Sequence, residues 1–552
     1  MAAPALQPGS AQALKPLPDR FPGFGLPWPA AAALWLMISG VSAYIVAFPV
    51  SMIAEDTYFY FQLAANVVAG QGVTFHGYTP TNGFHPLWFL VVTGLQSLAR
   101  DRVLLPHLAM AMVALLAIAS FWLAPAAARR LGLRHSHLGL ALLVPYTLFT
   151  QIGSESALVV PLVALATWAF AGFDEKGEDG DFALLHLALA LSVLARLDTV
   201  FVAALLGLSS LHVALRRRGF AATIRLSLVP AVAYVLLLGG YLLWNWSTTG
   251  HLVPISGALK GAGDAAHGFA RAKIADMGWF ALALVLASAG FVVASGTRRQ
   301  RLILLPLYAG IALHAIYIAY FTSGLTNWTW YYGAWMTAGA LALPQLATMA
   351  MRRLPAVFGT SAWAAWGERI AAAGLAAVTV LLPLAWLAVK MPPVVAGRDA
   401  GWARAYVRDF EDHLPKNQGV FVSDYPGALA YLGGYRVLPA DGLINDYGYQ
   451  AALARDGIRA YLQALGIHYV MAPGPDLDAA ARARYCGVLV HNATRLSCQP
   501  KPDGGAESTG LTVYAALNGQ ESGVIPLRRD HLAFTVPSLG FGVWYIDPPP
   551  NP

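Results

Sequence analysis

Glu55 and Asp56 stand side by side directly after the first long apolar run of the sequence. Charged side chains at membrane depth are costly and so are rarely idle. Two adjacent acids emerging from a membrane helix can serve as a general base and its helper, because a carboxylate there can take the proton of a hydroxyl nucleophile. The competing reading is a solvated helix end. Three further places combine charge with apolar surroundings: Glu155, the triplet Arg196-Leu-Asp198, and Lys260. His85 is a lone histidine in the same half of the chain, either a ligand for substrate or metal or a structural ring.

These residues must be positioned by membrane helices. Hydrophobic residues make up 57% of the 552 and charged residues 12%, more apolar material than a soluble core of this length needs. Runs of about 17–25 apolar residues cross a bilayer as helices, since backbone groups in hydrocarbon must satisfy one another. The sequence predicts spans at 30–50, 104–128, 137–153, 157–173, 182–195, 199–215, 224–246, 277–296, 302–321, 331–350 and 368–390. Segments 182–195 and 199–215 read as a tight hairpin with Arg196-Leu197-Asp198 at its tip. Residues 1–29 read as a cytoplasmic tail and 51–103 as an exterior loop. Within that loop Phe84 to Leu98 is a helix lying along or dipping into the surface. Residues 391–552 form an exterior domain.

Lys and Arg near span ends stay on the cytoplasmic side. With the N-terminus inside, four clusters agree: Arg129, Arg130 and Arg134; Arg216 to Arg218; Arg298, Arg299 and Arg301; Arg352 and Arg353. The agreement requires that 86–99 does not span. The net charge of +7 is then an orientation signal, and no nucleic-acid motif is present. An odd number of spans leaves the C-terminal region outside, where Cys486 and Cys498, the two cysteines of the chain, suit an oxidising compartment as a disulfide.

That exterior region reads as α/β. Strands are predicted at Gly419 to Ser423, Tyr435 to Pro439 and His468 to Ala472, with a helix from Tyr449 to Leu465. Asp424, Asp441 and Asn445 fall at strand ends, where ligands bind but where turn-forming Asp and Asn are also common. Trp328, Trp330, Tyr331 and Tyr332 end a span on the exterior side, either as an interfacial belt or as stacking surfaces for a sugar or isoprenoid.

The ordered stretches Glu55-Asp-Thr-Tyr-Phe-Tyr-Phe-Gln-Leu-Ala-Ala-Asn, Gly70-Gln-Gly-Val-Thr-Phe-His-Gly and Thr81-Asn-Gly-Phe-His-Pro-Leu-Trp resemble the first exterior loop of the GT-C superfamily of membrane glycosyltransferases. Gly153-Ser-Glu-Ser-Ala-Leu resembles the family's second acidic position, and Ala195-Arg-Leu-Asp-Thr its charged hairpin. Gly250-His-Leu-Val-Pro-Ile-Ser-Gly-Ala-Leu-Lys, Asp424-Tyr-Pro-Gly and Asp441-Gly-Leu-Ile-Asn are similar to segments of bacterial members that transfer arabinose, mannose or aminoarabinose. The resemblance implies a polytopic α-helical membrane protein of about eleven spans, GT-C-like, with an extracytoplasmic C-terminal α/β domain. It implies a bacterial inner-membrane enzyme, an inverting hexosyl- or pentosyltransferase. The sugar would pass from a polyprenyl-phosphate carrier in the bilayer to a cell-envelope acceptor.

On the resemblance, Asp56 is the base, with Glu55 the alternative. Arg196 and Lys260 are phosphate clamps, the first by its fork and the second as a point charge. Arg196 has the rival role of an ion pair with Asp198, and Lys260 that of an ordinary loop lysine. Glu155 either orients acceptor or base or caps the helix that follows. Asn82, Asp198, His85 and Tyr331 complete the substrate-binding set. Some members of the superfamily use a divalent metal ion and others do not, and no side-chain spacing here decides it. The competing classes are a polyprenyl-diphosphate-dependent oligosaccharide or polymer ligase and a lipid or solute transporter. A transporter should show repeated halves and interrupted midplane helices, and neither is evident.

Overall fold

A chain in hydrocarbon has no water to bond its backbone, so the apolar runs fold as helices. The computed structural model describes residues 26–51, 53–99, 101–149, 153–262, 268–322, 328–358, 362–397, 401–490 and 493–547. Residues 1–25 of the predicted tail lie outside the described residues, as do 150–152 at the end of the expected span 137–153.

The first helix, α1 (Trp28–Ala47), is followed by two shorter ones, α2 (Glu55–Val68) and α3 (Pro86–Ala99). The bundle continues with α4 (Leu104–Arg130), α5 (Leu140–Phe149), α6 (Ser156–Lys176), α7 (Asp179–Ala195) and α8 (Val200–Arg218). After these come α9 (Phe220–Tyr234) and α10 (Gly240–Thr249), joined by a π turn, and the short α11 (Ile255–Lys260). Helices α12 (Asp276–Ser295), α13 (Arg298–Phe321), α14 (Gly333–Phe358) and α15 (Ala362–Gly397) complete it. Among the described residues, eight helical segments are long and apolar enough to cross a membrane: Trp28–Ala47, Leu104–Arg130, Ser156–Lys176, Leu197–Arg218, Phe220–Thr249, Asp276–Ser295, Arg298–Phe321 and Arg369–Val389. The other three expected spans correspond to α5, α7 and α14, of which α5 is short and α7 has only 17 residues. Helix α3, 14 residues long, packs on α2, α4 and α7.

Charge segregates to one end of the bundle. Asp174, buried at the end of α6, is met by Arg298 at 3.4 Å, Arg299 at 3.2 Å and Arg217 at 3.8 Å. Arg218 pairs with Asp179 at 2.5 Å, and Arg130 lies 4.0 Å from Asp181. Three of the four arginine clusters and the acidic 174–181 loop therefore share one end. The side chains of Arg352 and Arg353 lie outside the described residues.

At the other end sits the C-terminal region, which begins with α16 (Trp402–Glu411). Its first half alternates β1 (Gly419–Val422), α17 (Pro426–Tyr431), β2 (Arg436–Pro439), α18 (Tyr447–Asp456), α19 (Ile458–Ala464) and β3 (Ile467–Pro473). The helix predicted from Tyr449 to Leu465 is two helices, because Gly457 takes φ +79° and turns the chain between them. Beyond it lie β4 (Asp476–Leu477), α20 (Ala479–Tyr485), β5 (Leu489–Val490), β6 (Thr494–Pro500), β7 (Ala506–Ala515), β8 (Gln520–Pro526), β9 (Leu532–Val536) and β10 (Phe541–Tyr545). Strands β2, β1 and β3 run parallel, and β10 and β9 extend the same sheet antiparallel. A second, antiparallel sheet of order β4-β7-β6-β5, with β8 on β7, carries the Cys486–Cys498 disulfide at its edge.

A buried carboxylate shared by three guanidinium groups leaves them mutually repelling when it is removed. Asp174→Asn should therefore lower stability by about 1–3 kcal/mol, read as a lower melting midpoint of the detergent-solubilised protein.

Candidate functional site

Between the helix bundle and the C-terminal domain lies a cavity of about 550 Å³. Its lining includes Glu55, Asp56, His85, Glu155, Arg196, Lys260 and Tyr331 of the sequence-derived set. Two other members of that set stand behind the wall. Asp198 pairs with Arg196 from outside the lining. Asn82 is fully buried, accepts from the Ile255 amide at 3.0 Å and donates to Thr249 Oγ1 at 3.2 Å. Asn82 thus ties the end of α10 to the start of α11, which carries Lys260. It stands behind the lining of the cavity, not in it.

The centre of the wall is a buried ion network. Arg196, at the end of α7, forks onto Asp198, with Nη2 2.7 Å from Oδ2 and Nε 3.2 Å from Oδ1. Its Nη1 bonds Glu155 Oε1. Glu155 also accepts from the Tyr60 hydroxyl at 3.3 Å, and its Oε1 lies 3.7 Å from His85 Nε2. Glu155 occupies the N-cap position of α6 but makes no capping bond there, so the capping expectation is corrected: the Arg196 charge draws the carboxylate away from the helix end. Gly153, with φ +84°, brings this turn against α2. A Cβ there would stand 2.6 Å from Thr57 Cγ2.

Sequence reasoning missed the second layer. His314 of α13 places Nε2 3.5 Å from Asp198 Oδ2, and Trp335 of α14 donates its indole N–H to His314 Nδ1 at 2.9 Å. That bond makes Nδ1 an acceptor, so Nε2 carries the proton toward Asp198. Tyr60 was equally unforeseen, although its place four residues after Asp56 puts both on one helix face. On the other side of the network, Tyr331 receives the Arg196 guanidinium at 4.2 Å and the Lys260 ammonium at 5.2 Å from its ring centre. Trp328 and Trp330 stack on each other at 5.1 Å and also reach the cavity.

The C-terminal domain closes the cavity. Asp424 and Asp441 follow the carboxyl ends of the parallel strands β1 and β2, the usual place for ligand-facing groups in such sheets. Both also hold their turns: Asp424 Oδ1 accepts from the Tyr425 amide and Asp441 Oδ1 from the Leu443 amide, each at 3.0 Å. Asn445 serves structure alone, bonding the Pro439 carbonyl at 2.8 Å while its own carbonyl accepts from Thr81 at 2.5 Å. Tyr425, at φ +60°, and Arg484 also face the cavity; only Tyr425 lay within a motif read from the sequence.

Glu55 turns to this domain, its carboxylate accepting from the amides of Gly427 and Ala428. Loss of hydration outweighs those bonds and pushes its pKa from 4.5 up to about 8. Burial pushes His85 down to about 4, so its ring is neutral at pH 7. Among the described residues no group of three or more His, Cys, Asp or Glu side chains is arranged to hold a metal ion.

No protein-family model and no curated protein matches the sequence. Solved structures do. ArnT from Cupriavidus metallidurans bound to undecaprenyl phosphate superposes with a TM-score of 0.50 at 14% identity, over 80% of this chain and 96% of that one. The fold is that of ArnT. The apo form of the same ArnT gives 0.50 at 13% identity, over 89% and 99% of the two chains. The arabinosyltransferase EmbB from Mycobacterium smegmatis gives 0.41 at 13% identity, over 73% of this chain and 42% of that one, and no argument rests on it. With eight apolar helices and the ArnT fold, the chain is a multi-pass membrane protein.

The raised Glu55 pKa has a signed consequence. Folding favours its protonated form, so its contribution to stability is whole below 4.5 and is lost as pH rises through about 8. Wild type should therefore lose melting temperature relative to Glu55→Gln between about pH 5 and about pH 8.5, and parallel curves would refute the shift.

Proposed function

We propose that the protein is an inverting glycosyltransferase that moves a sugar from a polyprenyl-phosphate carrier to an acceptor in the cell envelope. The observation that carries this reading is one cavity in which the Asp56 carboxylate shares walls with Lys260 and Arg196. In a single displacement Asp56 takes the proton of the acceptor hydroxyl, whose oxygen attacks the anomeric carbon as its bond to the phosphate oxygen breaks. Lys260 and Arg196 meet the charge that develops on the departing phosphate. Arg196 is already balanced by Glu155 and Asp198, so Lys260 supplies most of the added attraction. Undecaprenyl phosphate bound to ArnT, which has the same fold, supports a carrier of this class.

The same reading assigns eleven spans. Helices α5, α7 and α14 join the eight segments as spans. The arginine-rich end then lies in the cytoplasm, and residues 391–552 lie outside the bacterial inner membrane. The Cys486–Cys498 disulfide supports an oxidising exterior. Residues 30–390 form the catalytic module, with 51–103 its first exterior loop.

The test is release of polyprenyl phosphate from a panel of polyprenyl-phosphate sugars by purified protein supplied with membrane extract. Asp56→Asn should reduce turnover about a thousandfold while the protein stays folded. Turnover equal to wild type would remove Asp56 as the base. Lys260→Met should raise the KM for the donor about tenfold, with a smaller effect on kcat.

A further inference from the structure

We infer that Glu55 is a positioning residue that makes docking of the C-terminal domain a condition for turnover, by holding the first turn of α2 and with it Asp56. The inference rests on the reading of Asp56 as the base. The N-cap residue of α2 is Ala54, and no side chain caps the helix. Asp56 sits in its first turn. The far end of the chain reaches the same turn through the bonds from Gly427 and Ala428 to the Glu55 carboxylate.

The contact is built for close approach. A Cβ on Gly427 would stand 2.8 Å from Glu55 Oε1, 2.9 Å from the Glu55 carbonyl oxygen and 3.0 Å from Phe59, so a side chain here must push α17 and α2 apart. The opposite end of α17 is fastened to the same exterior loop. Arg102 donates to the carbonyls of Ala430 at 3.1 Å and Tyr431 at 2.7 Å, and the Tyr431 hydroxyl returns to the Arg102 carbonyl at 2.8 Å. The Tyr431 ring lies against Tyr58 and Phe61 of α2. Helix α17 is thus clamped along its length, and Glu55 is the clamp next to the reacting carboxylate. A glutamine keeps the accepting oxygen that this role requires, whereas the role of a base requires a carboxylate.

The test uses full-length protein in detergent, with the donor found active in the panel, and compares Glu55→Gln, Glu55→Ala and Gly427→Ala with wild type. Glu55→Gln should stay within about threefold of wild-type kcat, while Glu55→Ala and Gly427→Ala lose about ten- to a hundredfold with the donor KM little changed. Hydrogen exchange should quicken together at residues 55–60 and 426–431 in the latter two. A Glu55→Gln protein as inactive as Asp56→Asn would make Glu55 a reacting acid and overturn the inference. So would wild-type kcat in Gly427→Ala with faster exchange at 426–431. If wild type turns over no donor, the base assignment falls by itself. The exchange data still decide the clamp: a joint rise upholds it, and a rise confined to 426–431 overturns it.

Discussion

A guanidinium buried at membrane depth must carry its counter-charges with it, because hydrocarbon offers none and the loss of hydration costs several kcal/mol. Arg196 meets that demand with Glu155 from the turn before α6 and Asp198 from the turn after α7. Each carboxylate is held in its turn by groups from other helices: Tyr60 of α2 on Glu155, and His314 of α13 steadied by Trp335 of α14 on Asp198. One buried cation thereby fixes the mutual placement of five helices. It also fixes the floor of the cavity, including the Tyr331 ring beneath Lys260. The network places rigid charge beside the cavity, and the groups it leaves for chemistry are those mounted on its rim.

The C-terminal domain completes what the bundle starts. Its parallel strands deliver Asp424 and Asp441 to the cavity, while Asn445, Glu55 and Arg102 tie it to the first exterior loop. The loop lies between bundle and domain and makes polar contacts with both. Low identity to ArnT is compatible with this arrangement, since a fold of packed apolar helices tolerates exchange among apolar residues while the few buried charges constrain one another.

Much of the architecture was legible from hydropathy alone. The described parts of the expected spans fall mostly on helices, eight of them long and apolar enough to cross a membrane. Three of the four arginine clusters, chosen only for their place at span ends, gather at one end around Asp174 and Asp181. The strands β1, β2 and β3 were visible as β-branched runs, but β4 to β10 were not, because their antiparallel pairing is long-range and half-exposed.

By itself, then, the sequence determined which segments are helices in an apolar solvent, which charges are too costly to be incidental, and that Glu55, Asp56, Glu155, Arg196 and Lys260 belong in one argument. Those properties are local: an apolar run or a charge within it is costly or cheap wherever the chain goes. Only the tertiary structure decided partnership. It set Asn82 behind the wall, took Glu155 from the helix cap to Arg196, and turned Glu55 toward amides some 370 residues away. It also brought His314, Trp335, Tyr425 and Arg484 to the site. The physical reason is that a buried polar group binds whichever complementary group packing brings within about 3 Å, and packing joins residues with no regard for their distance along the chain.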